Sequence, residues 1–222
     1  MSSNDRLRAG VIGLGWAGQQ HMVGYEAAAD VDLVGIAGLE SKALQQLGAA
    51  YAIPDEHRYS DWRDLIDHGH LDLVSIATPT TLHAPIAVAA LDAGVHVLSE
   101  KPMAENADTA RLMVEAAERN DRVLDVSFNH RRRGHVQVLK KIIDAGVLGQ
   151  IYYAKAGWLR REGIPGLGSW FTRRAIAGGG PLMEFTCSTL RSICSASRRF
   201  GQRLLRRTPS SVHAARAARG WH

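Results

Sequence analysis

The chain has 222 residues, of which 45% are hydrophobic, with 27 basic and 22 acidic side chains and two cysteines. Its polar beginning, MSSNDRLRAG, lacks the apolar stretch of a signal peptide, and no segment approaches the roughly 20 apolar residues that cross a bilayer. Both cysteines follow residue 184, so disulfides are not expected to stabilise residues 1–184. These features argue against a membrane-spanning protein and predict a cytoplasmic one. The length predicts one domain, or one domain and part of a second.

Charge is divided unevenly along the chain. All 22 acidic residues and 19 of the 27 basic residues precede residue 185, so residues 1–184 carry −3 whereas residues 185–222 carry +8. The overall charge of +5 therefore says little about the partners of residues 1–184. The Arg/Ser-rich segment 185–222 shows no helical or alternating period, which predicts a disordered basic tail.

Short apolar runs alternate with helical patterns up to residue 127. The runs that predict buried strands are LRAGVIGLG, VDLVGIAG, LDLVSIATP, HVLSEKP and RVLDVSFN. The segments that predict helices between them are WAGQQHMVGYEAAAD, SKALQQLGAAYAI, DWRDLIDHG, HAPIAVAALDAG and NADTARLMVEAAERN. Continuous apolar strands that alternate with helices predict a doubly wound parallel sheet, an α/β (Rossmann) domain over residues 1–127.

A second domain is predicted to begin after residue 127. The stretch HVQVLKKIIDAGVLG predicts an amphipathic helix closed by Gly149, and IYYAKAGWLR predicts a strand followed by a glycine-rich loop. One helix and one strand cannot enclose a core, so residues 128–184 predict only the start of an incomplete α+β domain. The unpaired strand would expose an edge, which predicts a tendency to aggregate.

The first strand–helix turn carries the motif G-x-G-x-x-G in VIGLGWAG, formed by Gly13, Gly15 and Gly18. The first glycine allows the tight turn, the second lets a pyrophosphate approach the backbone, and the third permits close packing of helix and strand. The amides of Trp16 and Ala17, at the helix N-terminus, would donate to the phosphates. The motif predicts dinucleotide binding, and the alternative is an ordinary tight turn.

The tip of the second strand, GIAGLESK, leaves the choice between NAD and NADP open. Gly38 stands where an acid would bond the adenosine ribose, and Glu40 lies two residues later. Glu40 favours NAD, whereas Ser41 and Lys42 are equally able to hold a 2′-phosphate. A solvated turn explains any one of these residues equally well.

Two further strand ends predict the rest of the site. ATPTTLH carries Thr78, Pro79 and His83, and SEKP carries Glu100 and Lys101. Because ligands of open parallel sheets lie beyond the carboxyl ends of the strands, both loops face the crevice of the glycine turn. A lysine there can hold a substrate hydroxyl or take part in proton transfer while hydride moves to a nicotinamide. The alternatives are an exposed surface amine for the lysine and a plain helix-start residue for the histidine.

Other motifs were compatible with a metal or a nucleic acid. His68 and His70 in DHGH have no nearby cysteine or third ligand, so they predict solvated loop residues and no metal site. HRRRGH resembles a nucleic-acid patch, but three bases before a helix are commonly a solvated surface. Binding of nucleic acid by the arginine tail would fall steeply with added salt. Neither a membrane nor a nucleic acid is an expected partner.

Taken in order, these motifs resemble the glucose-fructose oxidoreductase/inositol dehydrogenase/MocA (Gfo/Idh/MocA) family. The resemblance rests on G-x-G-x-x-G, A-T-P-x-x-x-H, E-K-P, F-N-x-R and G-G-G-P-L. It implies a nucleotide-binding domain, a second domain on a large open sheet, and NAD(P)-dependent oxidation or reduction of sugars, polyols or similar small molecules. It also implies that Lys101 is the catalytic lysine, that Asn129 lies near the nicotinamide, and that intact relatives are homo-oligomers. We further expect a cis bond between Lys101 and Pro102, because tight turns at ligand sites retain that isomer.

The chain departs from the family pattern near Glu184. The family continues with D-x-G-x-H-x-x-D, whose Asp and His complete the active site, whereas this chain reads EFTCSTLR and has no histidine until His213. Little or no turnover is therefore expected, and a dinucleotide-binding module without catalysis is the alternative. A shifted reading frame takes the third base of each codon with the first two bases of the next. Starting from Glu184, this frame must encode Ile or Val and then Tyr or His, and with suitable codons it goes on to encode H-x-x-D. We expect a frame disruption near this codon that truncates the family sequence.

Overall fold

The computed structural model describes residues 6–153 and, further along, Arg173 and Ile176. The chain divides into two compact units between Val126 and Ser127. The predicted strand beyond Tyr153, the glycine-rich loop, the G-G-G-P-L motif and the basic segment 185–222 lie outside the described residues. So do the aggregation-prone edge and the site departure at Glu184, which remain predictions.

Strands and helices alternate through the first unit. The strands are β1 (Leu7–Ile12), β2 (Val31–Ala37), β3 (Arg58–Tyr59), β4 (Leu73–Ile76), β5 (His96–Ser99) and β6 (Leu124–Val126). The helices are α1 (Trp16–Ala27), α2 (Ser41–Ala50), α3 (Trp62–His68), α4 (His83–Asp92) and α5 (Ala107–Arg119). Every predicted strand and helix of this unit is confirmed. The extra strand β3 was not predicted, because two residues form no recognisable apolar run. No helix among the described residues has the length and apolar character needed to cross a membrane.

The strands form one parallel sheet in the order β3-β2-β1-β4-β5-β6. This is the doubly wound Rossmann order: successive strands are added towards one edge of the sheet from β1 to β3, and towards the other edge from β4 to β6. The strands end at one level, because Ile12 lies opposite both Ala37 and Ile76, and Ile76 lies opposite Ser99. The loops that follow β1, β2, β4 and β5 therefore leave the sheet along the same edge.

Both faces of the sheet are covered, as continuous apolar strands predict. On one face Met22 of α1 and Leu44 of α2 pack with strand residues such as Val11 and Ile36. On the other face α3, α4 and α5 contribute a larger cluster that includes Leu65, Ile86, Leu91 and Met113. Each such buried side chain contributes about 1.5–3 kcal/mol relative to an exposed position. Neighbouring strand residues point to opposite faces, so β1 supplies Ile12 to the larger cluster and Val11 to the smaller one.

The second unit contains α6 (Gly134–Asp144), preceded by a 3-10 turn over Asn129–Arg132. The sequence predicted that Gly149 closes this helix, which is wrong, because the helix ends at Asp144, four residues before Leu148. Gly146 and Gly149 have φ values of +72° and +64°, and a residue in this left-handed region ends a helix. The predicted strand does not begin at residues 151–153, which have no regular secondary structure.

Candidate functional site

Three of the predicted site loops meet at the carboxyl edge of the sheet. Backbone hydrogen bonds extend the ladder by one residue beyond each strand, from Gly13 N to Ala37 O at 2.9 Å, from Ala77 N to Ile12 O at 2.8 Å and from Glu100 N to Ile76 O at 2.8 Å. The glycine turn, the Thr78 loop and the Glu100–Pro102 loop are therefore held side by side. This is the switch point at which open parallel sheets bind ligands.

Two glycines of the turn are required by the turn itself. Gly13 has φ of +96°, and a Cβ at this position would lie 2.5 Å from Ala77 O. A Cβ on Gly18 would lie 1.8 Å from Gly13 O. No side chain fits at either position, because Gly13 packs against the backbone that follows β4 and Gly18 packs against the turn. These glycines explain the shape of the turn and carry no information about a ligand.

Gly15 is different, since neither its backbone nor its neighbours require a glycine. Its φ of −69° and ψ of −173° suit any residue, and a Cβ would meet no heavy atom of the described residues within 4 Å. It directly precedes α1, whose N-terminus has no capping side chain and no acid in its first turn. The amides of Trp16 and Ala17 lack intrahelical acceptors. An open space before unpaired amides and a positive helix end fits the pyrophosphate of a dinucleotide.

The region of the predicted ribose contact begins at Gly38. A Cβ here would lie 2.9 Å from Leu14 Cγ and Cδ1, so a larger side chain requires Leu14 to move. Glu40 is exposed and precedes α2 without bonding its amides. Ser41 and Lys42, next to it, are also exposed. Acidic, hydroxyl and basic groups all face solvent at this point, so the choice between NAD and NADP stays open.

The loop after β4 is joined to the loop after β5 by His83. This side chain is 1% exposed, with Nδ1 2.8 Å from Pro102 O and Nε2 2.9 Å from Thr78 O. Such geometry favours a role in holding the two loops together, and a direct contact with the cofactor stays a prediction. Pro79 leads into a 3-10 turn, and the buried hydroxyls of Thr78 and Thr80 have no hydrogen-bond partner in the described part of the chain. Buried polar atoms are usually paired, so this loop retains hydrogen-bonding capacity.

Lys101 lies at the carboxyl end of β5, beside Glu100. Its side chain is 33% exposed, and its Nζ is 3.9 Å from Glu100 Oε2. The Lys101 amide donates to the same oxygen at 3.1 Å. The bond between Lys101 and Pro102 is cis, as predicted. The structure thus presents an amine at the edge of the crevice and holds a carboxylate against it.

A hydrogen-bonded group behind Glu100 was missed by the sequence reasoning. Tyr25 Oη lies 2.5 Å from Ser75 Oγ, Ser75 Oγ lies 3.0 Å from His21 Nδ1, and His21 Nε2 lies 3.4 Å from Glu100 Oε1. Burial raises the pKa of the Tyr25 phenol, and the bond to Ser75 opposes that shift. The sequence signal that could have indicated this group was a serine, Ser75, within the apolar run LDLVSIA, because a polar residue in a buried strand needs a hydrogen-bond partner.

The remaining predicted residues lie elsewhere. Asn129 opens the 3-10 turn of the second unit, and its place near a nicotinamide stays a prediction. In the same unit the Arg131 guanidinium lies 5.1 Å from the centroid of the Phe128 ring. His68 ends α3 with an exposed side chain, and His70 follows with φ of +48°. Within the described residues, no three His, Cys, Asp or Glu side chains are grouped to hold a metal ion.

Comparison with known proteins agrees with this geometry. A family model described as an oxidoreductase family with an NAD-binding Rossmann fold (GFO_IDH_MocA) matches residues 7–128. The chain is 34% identical over 186 residues to a levoglucosan dehydrogenase of Pseudarthrobacter phenanthrenivorans, covering 80% of this chain and 48% of that protein. It is 35% identical over 183 residues to a D-glucoside 3-dehydrogenase of Escherichia coli, covering 82% and 51%.

A solved structure gives the same result. The WlbA dehydrogenase from Bordetella pertussis, in complex with NADH and UDP-GlcNAcA, is similar with a TM-score of 0.63 and 32% sequence identity. The similarity covers 68% of this chain and 43% of that one. The chain therefore spans about half the length of the relatives it matches.

Proposed function

The chain belongs to the Gfo/Idh/MocA oxidoreductase family, and we propose that its first unit binds NAD or NADP with the pyrophosphate on the amides that begin α1. The observation that carries this proposal is Gly15. Its angles and its surroundings accept any side chain, so the space that it leaves open is explained by a ligand. The uncapped N-terminus of α1 supplies the donors and the partial positive charge that a pyrophosphate needs.

The proposed reaction is hydride transfer between the nicotinamide and a carbon of a sugar, polyol or similar small molecule. Two relatives are named as dehydrogenases of levoglucosan and of D-glucosides, which supports a carbohydrate substrate. The nicotinamide, when bound, supplies the hydride chemistry. Lys101 would be the catalytic residue, because its amine faces the edge where substrate and nicotinamide would meet. There it can hold a substrate hydroxyl or move its proton.

We also propose that this chain turns over little or no substrate. The family resemblance places an Asp and a His shortly after the G-G-G motif, whereas this sequence has Glu184 there and no histidine between Glu184 and His213. An alcohol oxidation needs a group that accepts the hydroxyl proton as the hydride leaves. Without that histidine the lysine would act alone. A dinucleotide-binding module without catalysis is the alternative function.

Cofactor titration followed by a turnover assay separates these possibilities. Calorimetric titration with NADH and NADPH measures binding, and absorbance of the reduced nicotinamide measures turnover on a panel of sugars and polyols. Lys101→Met is the test variant, and Lys140→Met is the control, because Lys140 pairs with Asp144 on α6. Binding with turnover that depends on Lys101 supports an oxidoreductase. Binding without turnover supports the module, and absence of binding to both cofactors refutes the proposal.

A further inference from the structure

A chain of side-chain hydrogen bonds connects α1 to Glu100, which forms an ion pair with the lysine of the candidate site. It runs from Tyr25 to Ser75 at 2.5 Å, from Ser75 to His21 Nδ1 at 3.0 Å and from His21 Nε2 to Glu100 Oε1 at 3.4 Å. The other carboxylate oxygen, Oε2, accepts from the Lys101 amide at 3.1 Å and lies 3.9 Å from Lys101 Nζ. Neither the glycine turn nor hydride transfer accounts for the first three residues.

These polar groups occupy interior positions. Ser75 is 0% exposed, and the side chains of His21 and Glu100 are 10% and 16% exposed. Ser75 belongs to β4, which lies between β1 and β5 in the sheet. Burying polar side chains costs free energy unless they are hydrogen-bonded, and aliphatic residues would pack there without that cost. A buried network in which each member is bonded fixes one arrangement of its side chains.

An ionised Glu100 carboxylate and a neutral His21 imidazole together set the direction of every bond in the chain. An ionised carboxylate only accepts hydrogen bonds, so His21 Nε2 is the donor to Glu100. The Nδ1 of a neutral imidazole then accepts from the Ser75 hydroxyl, and the Ser75 oxygen accepts from the Tyr25 hydroxyl. All donors thus point towards Glu100. Tyr25 and Ser75 hold the imidazole in the tautomer that keeps the Nε2 proton on the side of the carboxylate.

We propose that His21, supported by Ser75 and Tyr25, is a positioning residue that holds Glu100 in the orientation that fixes Lys101. His21 belongs to α1, the helix whose first amides form the proposed pyrophosphate site. One helix would therefore locate both the cofactor phosphates and the lysine. The inference rests on the proposed function only for the role of Lys101, because the contact between its amine and Glu100 involves side chains of this chain alone.

Chemical labelling of lysine measures this hold without relying on turnover. The full chain is treated with limiting acetic anhydride, and mass spectrometry gives the ratio of labelling at Lys101 to labelling at the exposed Lys42. An amine held against a fixed carboxylate meets the reagent less often than one whose partner has turned away. His21→Leu removes both ring nitrogens, and we expect it to raise the labelling ratio at least about threefold. A change of this size corresponds to a free energy within the range of coupling energies found between residues in contact.

Two variants at matched positions control this measurement. His21→Gln places an amide N–H close to the position of the ring Nε2, so it is expected to return the ratio to about that of the unchanged protein. His68→Leu makes the same change at an exposed histidine that ends α3, and it is expected to leave the ratio unchanged. A purely structural effect of losing a buried histidine would not be rescued by glutamine.

A double substitution tests whether His21 acts through Glu100. Glu100→Gln removes the charge that holds the lysine, so it should raise the ratio by itself, and His21→Leu should add nothing in that background. If His21→Leu does not fold, Tyr25→Phe takes its place in the same cycle. The proposal is overturned if the single change leaves the ratio unaltered or if the two effects multiply independently. NADH titration of the unchanged protein is read separately, so failure to bind would refute the cofactor proposal and leave the labelling result standing.

Discussion

Replacing Gly15 by valine separates the effect on a ligand from the effect on folding. The backbone of Gly15 has φ of −69° and ψ of −173°, which valine adopts without strain. Apart from Gly15 itself and its two neighbours in the chain, no heavy atom of the described residues would lie within 4 Å of the valine Cβ. The substitution therefore adds a branched side chain to the open space in front of α1 and nothing else. Any large effect must come from what normally occupies that space.

The expected magnitudes differ for folding and for binding. Gly15 is the N-cap of α1, where glycine is preferred to valine, so the free energy of unfolding should fall by at most about 1 kcal/mol. A hydrogen bond to a charged group is worth about 1.5–3 kcal/mol. Loss of two amide–phosphate bonds therefore costs about 3–6 kcal/mol, and because each 1.4 kcal/mol is tenfold, NADH should bind at least about 100-fold more weakly.

Gly24→Val is the matched control. Gly24 lies on the same helix, is exposed, and has no heavy atom within 4 Å of an added Cβ among the described residues, but it is distant from the turn. Calorimetric titration with NADH should give equal dissociation constants for the unchanged protein and Gly24→Val. Urea denaturation checks that all three proteins fold. If Gly15→Val binds NADH as tightly as the control, the pyrophosphate does not lie on this turn.

Three other outcomes are expected. Leu65→Ala should lower the free energy of unfolding by about 2–5 kcal/mol, because Leu65 is fully buried. Leu39→Ala, at a side chain that is 94% exposed, should change it by no more than about 0.5 kcal/mol. Equal shifts in urea denaturation would contradict the placement of Leu65 in the core. Burial lowers the pKa of His96 below its ordinary value of 6.5, and its Nδ1 accepts a hydrogen bond from the Val123 amide at 2.9 Å. The unfolded chain therefore binds a proton at this histidine more readily than the folded chain does. The free energy of unfolding should fall as the pH drops below 6.5. His96→Asn keeps an acceptor but does not titrate, and a pH dependence of denaturation identical to that of the unchanged protein would refute the assignment. Sequencing the gene should reveal a shifted frame after the Glu184 codon that encodes H-x-x-D, and the lack of a continuing open frame would rule this out.

The layered α/β fold and the grouping of the predicted site loops at one edge of the sheet follow from the order of residues alone. Apolar runs that alternate with amphipathic helices give a parallel sheet whatever the details of packing. The glycine motif and E-K-P then fall at strand ends, which one edge of such a sheet must bring together. These features depend on local periodicity and on topology, and both can be read from the order of residues. The strand β3 escaped prediction because two residues carry no period.

The contacts between side chains at the candidate site depend on how distant segments pack together. His21 is separated by 54 positions from Ser75 and by 79 from Glu100, so their contacts follow from the packing of α1 against β4 and the residue that follows β5. The cofactor contact predicted for His83 stays a prediction, and the tertiary structure adds that its buried ring lies between the carbonyls of two loops. Gly13, Gly15 and Gly18 look alike in the motif, and only the surrounding atoms distinguish the two that the turn requires from the one that leaves space for a ligand. Such differences depend on distances between segments remote in sequence, which local propensity does not encode.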